Sequence, residues 1–297
     1  MGKCWRWGAW ALVSSVVVSS VAMATPWHQF DSPTRGHSNS IGSYANGCLA
    51  GGKALPLEGE GYQVIRSSRN RYYGHEKLVN FIEDLGQKTS EAGINDLLIG
   101  DMSMPRGGRF TSGHASHQTG LDVDIWMRQA EDLLTRSERE SIHSTNMVNL
   151  EEYRIQFRSW TDDHANMVRF AAQDERVARI FVHPVIKETL CRETWEDRSW
   201  LRKVRPWYGH TSHMHVRLTC PDNDQYCQNQ ALPPPGDGCG EELYSWRPEA
   251  QETSTTVTQL RGGSGNSSTS TTTTTSRPNR QTKVQPQQCD TVIVDAG

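Results

Sequence analysis

Two short segments far apart in this chain carry metal-ligand chemistry, and any fold that uses both must bring them together. The first is Gly113 to Asp124, GHASHQTGLDVD; the second is His210 to His215, HTSHMH. Five of the eleven histidines fall within them, beside aspartates that can complete the coordination of a divalent ion. The pair reads as a split zinc site.

Local pattern places both segments. Residues 105–120 hold four glycines and read as a loop, which leads into a strand at Leu121–Trp126. Alternation there sets Asp122 and Asp124 on one face and Leu121, Val123 and Ile125 on the other. The downstream strand repeats this grammar, with His213, His215 and Arg217 opposite Met214, Val216 and Leu218. Adjacent antiparallel strands would set His215 beside Asp124. Elsewhere, Glu76–Ala92 carries Leu78, Val79, Ile82 and Leu85 at helical spacing, and Asp96–Gly100 follows as a buried strand. Asp163–Ala172 reads as helix, Arg179–Val182 as strand, and Pro184–Cys191 as a helix begun by proline. The expected class is α+β, a central antiparallel sheet carrying the site, flanked by helices and long loops.

Catalytic zinc takes three protein ligands and leaves a position for water, whose pKa falls to about 7. His117, Asp124 and His215 supply such a set. His213, on the same strand face, is the candidate to accept a proton from the water and return it to a leaving amine, with His210 assisting. The competing reading is a hydrogen-bonded polar core without metal, which would bury many titratable groups at a cost. Asp122 is either a carboxylate that orients a histidine or a solvated strand residue. Arg106 and Arg109 are candidates to hold a substrate carboxylate, against the plainer reading of solvated loop arginines. His28, His37, His75 and His143 read as solvated or hydrogen-bonded surface residues.

Residues 1–24 combine a basic start, an apolar middle and a small-residue exit at Ala22-Met23-Ala24, the pattern of a secretory signal peptide cleaved after Ala24. Its apolar run is too short and too rich in serine for a membrane anchor. Cleavage removes Lys3, Arg6 and no acids, taking the net charge from −3 to −5, and no basic patch points to nucleic acid. It also removes Cys4, leaving Cys48, Cys191, Cys220, Cys227, Cys239 and Cys289, an even set suited to three disulfides in an oxidising compartment. Six cysteines permit 15 pairings, and spacing does not choose among them. Residues 25–246 are long enough for one domain. Residues 247–288 form a low-complexity Ser/Thr/Gly/Pro-rich linker, and residues 289–297 a tail that a disulfide would tether.

His117-x6-Asp124 with His213-x-His215 resembles the signature of the LAS metallopeptidases, the group of lysostaphin-type peptidases, D-Ala-D-Ala peptidases and hedgehog domains. Within that group the chain is similar to the penicillin-insensitive murein endopeptidases of Gram-negative bacteria. The likeness runs through Ile41-Gly42-Ser43, Gly113 to Ile125, Ala171 to Asp174, Trp200 to Trp207 and Leu232 to Gly240. It implies a periplasmic zinc endopeptidase, exported by the Sec pathway, that cuts D-alanyl to meso-diaminopimelyl cross-links of peptidoglycan, with diaminopimelyl to diaminopimelyl links as a further target. It also implies His117, Asp124 and His215 as zinc ligands, His114 as an additional ligand, His213 and His210 as catalytic histidines, and disulfides Cys48–Cys289, Cys191–Cys239 and Cys220–Cys227. One departure is Glu151 and Arg154, which stand where relatives can carry an Asp and a His for a second metal, and they argue against that metal here. The linker is also longer and less proline-rich than the family pattern. Two other outcomes share the signature: a D,D-carboxypeptidase or dipeptidase, and a non-catalytic zinc-containing wall-binding module.

Overall fold

Period-two burial builds the centre of the molecule, which a computed structural model describes over residues 27–248 and 283–295. The expected leader and residues 249–282 of the linker lie outside the described residues. In chain order, β1 (Asn39–Ser43) and β2 (Asn46–Ala50) form a separate hairpin. β3 (Glu58–Gly59), β4 (Tyr62–Val64), β5 (Asp96–Ile99), β6 (Asp122–Ala130), β7 (Val177–Val182), β8 (Val204–Pro206) and β9 (His213–Leu218) make one seven-stranded sheet. Its order is β8-β7-β9-β6-β5-β4-β3.

The expected antiparallel arrangement holds for the middle of this sheet, β7-β9-β6-β5. The sheet as a whole is mixed, because β4 runs parallel to β5 and β7 parallel to β8. Parallel neighbours need a crossover. Helix α1 (Glu76–Glu91) supplies the first; α2 (Asp162–Gln173) precedes β7, and α3 (Pro184–Arg192) opens the second crossover. β8 is three residues long, too short for alternation to reveal it.

The helices cover one face of the sheet. Leu78, Phe81 and Ile82 of α1 and Val168 and Ala171 of α2 pack in one cluster with Val123, Ile125, Met214 and Val216. Each such side chain contributes about 1.5–3 kcal/mol by leaving water. Because β6 and β9 spend their apolar positions on this core, Asp122, Asp124, His213 and His215 are turned to the opposite face.

Three histidines outside the two segments begin helices. His75 accepts from Lys77 N at 2.9 Å, His164 from Thr161 N at 3.0 Å and His183 from Val185 N at 3.2 Å. His75 is therefore buried rather than a surface residue, and its Nε2 lies 3.4 Å from Asp224. Arg106 is likewise neither solvated nor at the site. It is buried and donates to Ser32 O, Val292 O and Asp295 O, which fastens α4 (Cys289–Val294) against the β1-β2 hairpin. Disulfides join Cys48 to Cys289, Cys191 to Cys239 and Cys220 to Cys227. Among the described residues no helix is long and apolar enough to cross a membrane.

Candidate metal centre

The register between β6 and β9 decides the site: Asp124 stands opposite His215, Trp126 opposite His213 and Asp122 opposite Arg217. The glycine loop before β6 brings the remaining imidazoles over these strands. At Gly107, φ is 66° and an added Cβ would lie 2.1 Å from Gln118 O, so only glycine lets the two arms of the loop meet. Gly108 N donates to Gln118 O at 2.9 Å and closes the loop beside His117. His117 itself has φ 67°, a conformation uncommon for a side-chain-bearing residue, and its N–H donates to Asp122 Oδ2 at 3.1 Å.

His114, His117, Asp124 and His215 each present one ligand atom, all within 4.8 Å of one another. Asp124 is the hub: Oδ2 lies 3.2 Å from His114 Nε2, and Oδ1 lies 3.5 Å from His117 Nε2 and 3.1 Å from His215 Nδ1. A tetrahedral ion with bonds of 2.0–2.1 Å has ligand-to-ligand edges of about 3.3 Å. The observed spacings bracket that value. Both ring nitrogens of His117, together with Asp124 Oδ1 and His213 Nε2, are buried without a hydrogen-bond partner. Buried polar atoms are normally satisfied, so the orphans His117 Nε2 and Asp124 Oδ1, 3.5 Å apart, fit a cation there. The donor set of imidazoles and a carboxylate suits zinc among other divalent ions.

Asp122 supports this set from behind. Its Oδ1 accepts from His215 Nε2 at 2.9 Å and from Arg217 Nε at 2.7 Å. That bond fixes the His215 tautomer with Nδ1 turned to the other three ligand atoms. Burial alone would raise the Asp122 pKa, but Arg217 and His215 override it and hold the carboxylate well below its usual range. Burial likewise favours a neutral His215, yet Asp122 and Asp124 outweigh it and push the ring up to about 9. Of the two sequence readings of Asp122, the orienting carboxylate is the one found; a solvated residue is excluded by its complete burial.

His213 Nε2 lies 3.8 Å from Asp124 Oδ1, at the edge of the cluster. The ring of His210 is 4.8 Å from that of His213, and His210 Nδ1–H donates to Tyr208 O at 3.0 Å, leaving Nε2 free. Burial, helped by His213 and His215, pushes His210 down to about 4; burial lowers His213 as well, so both rings are neutral near pH 7. All six sequence-selected histidine and aspartate site residues thus share one locus. Arg109 is exposed and Arg106 is remote, so neither is seen to line the cleft. Glu151 is exposed and Arg154 pairs with Glu152. Arg66, Arg69, Asp101 and Trp126 do line it, and sequence reasoning missed all four.

This fold and this site define a metallopeptidase of the α+β class. The model of the penicillin-insensitive murein endopeptidase family matches residues 40–294. The chain belongs to that family. A penicillin-insensitive murein endopeptidase of Haemophilus influenzae is 50% identical over 246 residues, covering 80% of this chain and 84% of the relative. Those of Salmonella paratyphi B and Salmonella newport are each 47% identical over 236 residues, covering 80% of this chain and 86% of the relative.

Proposed function

We propose that the protein is a zinc endopeptidase of the periplasm that hydrolyses the D-alanyl to meso-diaminopimelyl cross-link of peptidoglycan. The observation that carries the reading is the convergence of three imidazoles on Asp124 at spacings of 3.1–3.5 Å. In this reading His117, Asp124 and His215 hold the ion and His114 is a further ligand. Residues 1–24 act as the export signal, residues 25–246 form the catalytic domain, and residues 247–288 link it to the disulfide-tethered tail. Zinc, when bound there, would supply Lewis-acid chemistry and lower the pKa of a water.

The chain's own groups do the rest. His213, neutral and with an unpartnered Nε2, accepts the proton released as the carbonyl is attacked and returns it to the departing amine. His210, anchored through Nδ1, holds its free nitrogen toward the same space and orients the transition state. Asp122 keeps His215 in its binding tautomer. No serine is acylated in such a scheme, so penicillin has no target.

The test is digestion of purified sacculi by the mature protein, with released muropeptides identified by mass spectrometry. Loss of cross-linked dimers that chelator blocks and penicillin does not is the expected result. Unchanged dimers with metal-loaded, folded protein would refute the assignment, and release of D-alanine from uncross-linked stems alone would make it a carboxypeptidase. His117→Ala should abolish zinc retention, whereas His213→Ala should keep zinc and lose turnover; loss of zinc from His213→Ala would overturn the division of roles.

A further inference from the structure

Beside the metal cluster runs a cleft whose wall includes Arg66, Arg69, Asp101, His114, Asp124 and His213. Its two arginines lie at the ends of a short turn, Ser67–Arg69, which Arg69 closes and which left-handed residues bound on both sides, Arg66 with φ 55° and Asn70 with φ 55°. Asn takes this region readily, but arginine seldom does, so the backbone at Arg66 holds a conformation that costs free energy and that points to a task. Arg66 is fixed: Nη2 donates to Ile142 O at 3.1 Å, and the guanidinium sits 4.8 Å over the ring of Trp126, the residue paired with His213. Arg69 is the looser group. Its side chain is 44% exposed, and its contact with Asp101 is long, 3.5 Å.

The nearby acids are already engaged. Asp101 takes Arg71 at 2.8 Å, and Glu140 accepts from Ser67 and Ser68. Burial first, and the charge of Arg69 after it, push Arg66 below its ordinary range, against the opposing pull of Asp101 and Glu140. Arg66 and Arg69 thus bring two cations to one edge of the cleft, and Asp101 touches both that edge and the metal cluster, 3.5 Å from Arg69 and 3.8 Å from His114 Nε2.

We infer that Arg66 and Arg69 bind a free carboxylate of the substrate on the amine side of the scissile bond. The inference rests on the cross-link reading above and names the group recognised. When D-alanine acylates the D-centre of meso-diaminopimelate, the carbon bearing the scissile nitrogen also bears an unsubstituted carboxylate. That anion lies two bonds from the nitrogen, a short reach from the metal cluster to the cleft wall. Guanidinium forks match a carboxylate bidentately, and the pairing is stronger where water is partly excluded. Arg69 supplies the adaptable fork and Arg66 the fixed charge behind it.

The experiment uses mature, zinc-loaded protein and defined cross-linked disaccharide-peptide dimers that carry this carboxylate either free or as its amide. Wild type should cleave the free form about 10- to 100-fold better in kcat/KM. Arg69→Ala should lose that preference, chiefly through KM and with a far smaller loss on the amide, and Arg69→Lys should recover part of it. Dimers with and without a terminal D-alanine on the acceptor stem separate the two carboxylates available there; a preference that follows the terminal one overturns the assignment. Equal cleavage of free and amidated dimers by wild type also overturns it while leaving the cross-link reading intact. Failure of the active metalloenzyme on both dimers would instead remove the reading beneath it.

Discussion

Asp122→Asn is the substitution that tests how the site is held, because it changes one atom and almost no volume. The amide can keep its oxygen where Oδ1 accepts from His215 Nε2 and Arg217 Nε. Its NH2 must then face the His117 N–H, a donor against a donor in place of the 3.1 Å bond to Oδ2. Two hydrogen bonds lose their ionic partner, at about 1 kcal/mol each, and a buried N–H left unmade costs about 1–3 kcal/mol. Arg217, 8% exposed, loses the carboxylate that pairs with it and is left with neutral amide acceptors, the substituted side chain and Gln230 Oε1 at 2.7 Å. The total, about 3–5 kcal/mol, agrees with the usual cost of breaking a buried ion pair.

Chemical denaturation of chelated protein should therefore show Asp122→Asn less stable by that amount at pH 7. Released from its tether, the left-handed His117 backbone can relax, and zinc affinity measured by chelator competition should fall about 10- to 100-fold. The sign with pH is fixed by the depressed Asp122 pKa. A carboxylate held low in the folded state stabilises it above the ordinary carboxylate range and loses that contribution on acidification. The gap between wild type and variant should thus be full at pH 7 and shrink as the pH falls below about 4. A variant within 0.5 kcal/mol of wild type, roughly the scatter of surface substitutions, and with undiminished zinc affinity would refute this account of Asp122.

Lys187 offers a second pH signature with the opposite chemistry. Fully buried, its Nζ donates to Leu201 O and Asp237 O, and burial pushes its pKa down to about 7. The unfolded chain then binds more protons between pH 7 and about 10.4, so this residue makes stability rise with pH across that window, by up to about 1.4 kcal/mol per unit. Urea unfolding of wild type and Lys187→Met at pH 6, 8 and 9.5 should show wild type gaining on the variant as pH rises; a constant gap would sink the prediction. The Cys191–Cys239 bridge closes a separation of 48 residues, which chain entropy converts to about 4 kcal/mol. The double serine variant should unfold at correspondingly lower denaturant, and an unchanged midpoint would show that the bridge adds nothing to the packed core.

What could be read in the chain before its structure was whatever repeats with a period. β6 and β9 alternate cleanly because each has one face on the helices, and that alternation placed His215 beside Asp124 as their register does. α1 and α3 were legible for the same reason, with proline marking the start of α3. The parallel edges were not, since β8 and β4 are three residues each and β3 only two. Such fragments take their conformation from the neighbour they pair with, and they leave no pattern of their own.

The same limit explains why strand-borne site residues were found and the cleft wall was missed. Arg106 and Arg109 are close to His114 in sequence, which made them natural candidates, but a loop folded at Gly107 turns Arg106 toward α4. Arg66 and Arg69 are distant in sequence and reach the cleft because β4 lies parallel to β5, and β5 lies next to β6. Proximity across a sheet follows strand order, which sequence spacing does not encode. Asp101 carries the only available hint, an acid immediately beyond the buried strand β5 and its glycine. In an open sheet, the ends of strands are where loops converge on a site, so an acid there is a residue to test. Asp101→Asn would leave Arg71 without its 2.8 Å ionic partner and lower the negative charge beside His114. With the wall more cationic, the variant should bind the free-carboxylate dimer more tightly and the amide no better, which separates a charge-reading wall from a merely structural turn.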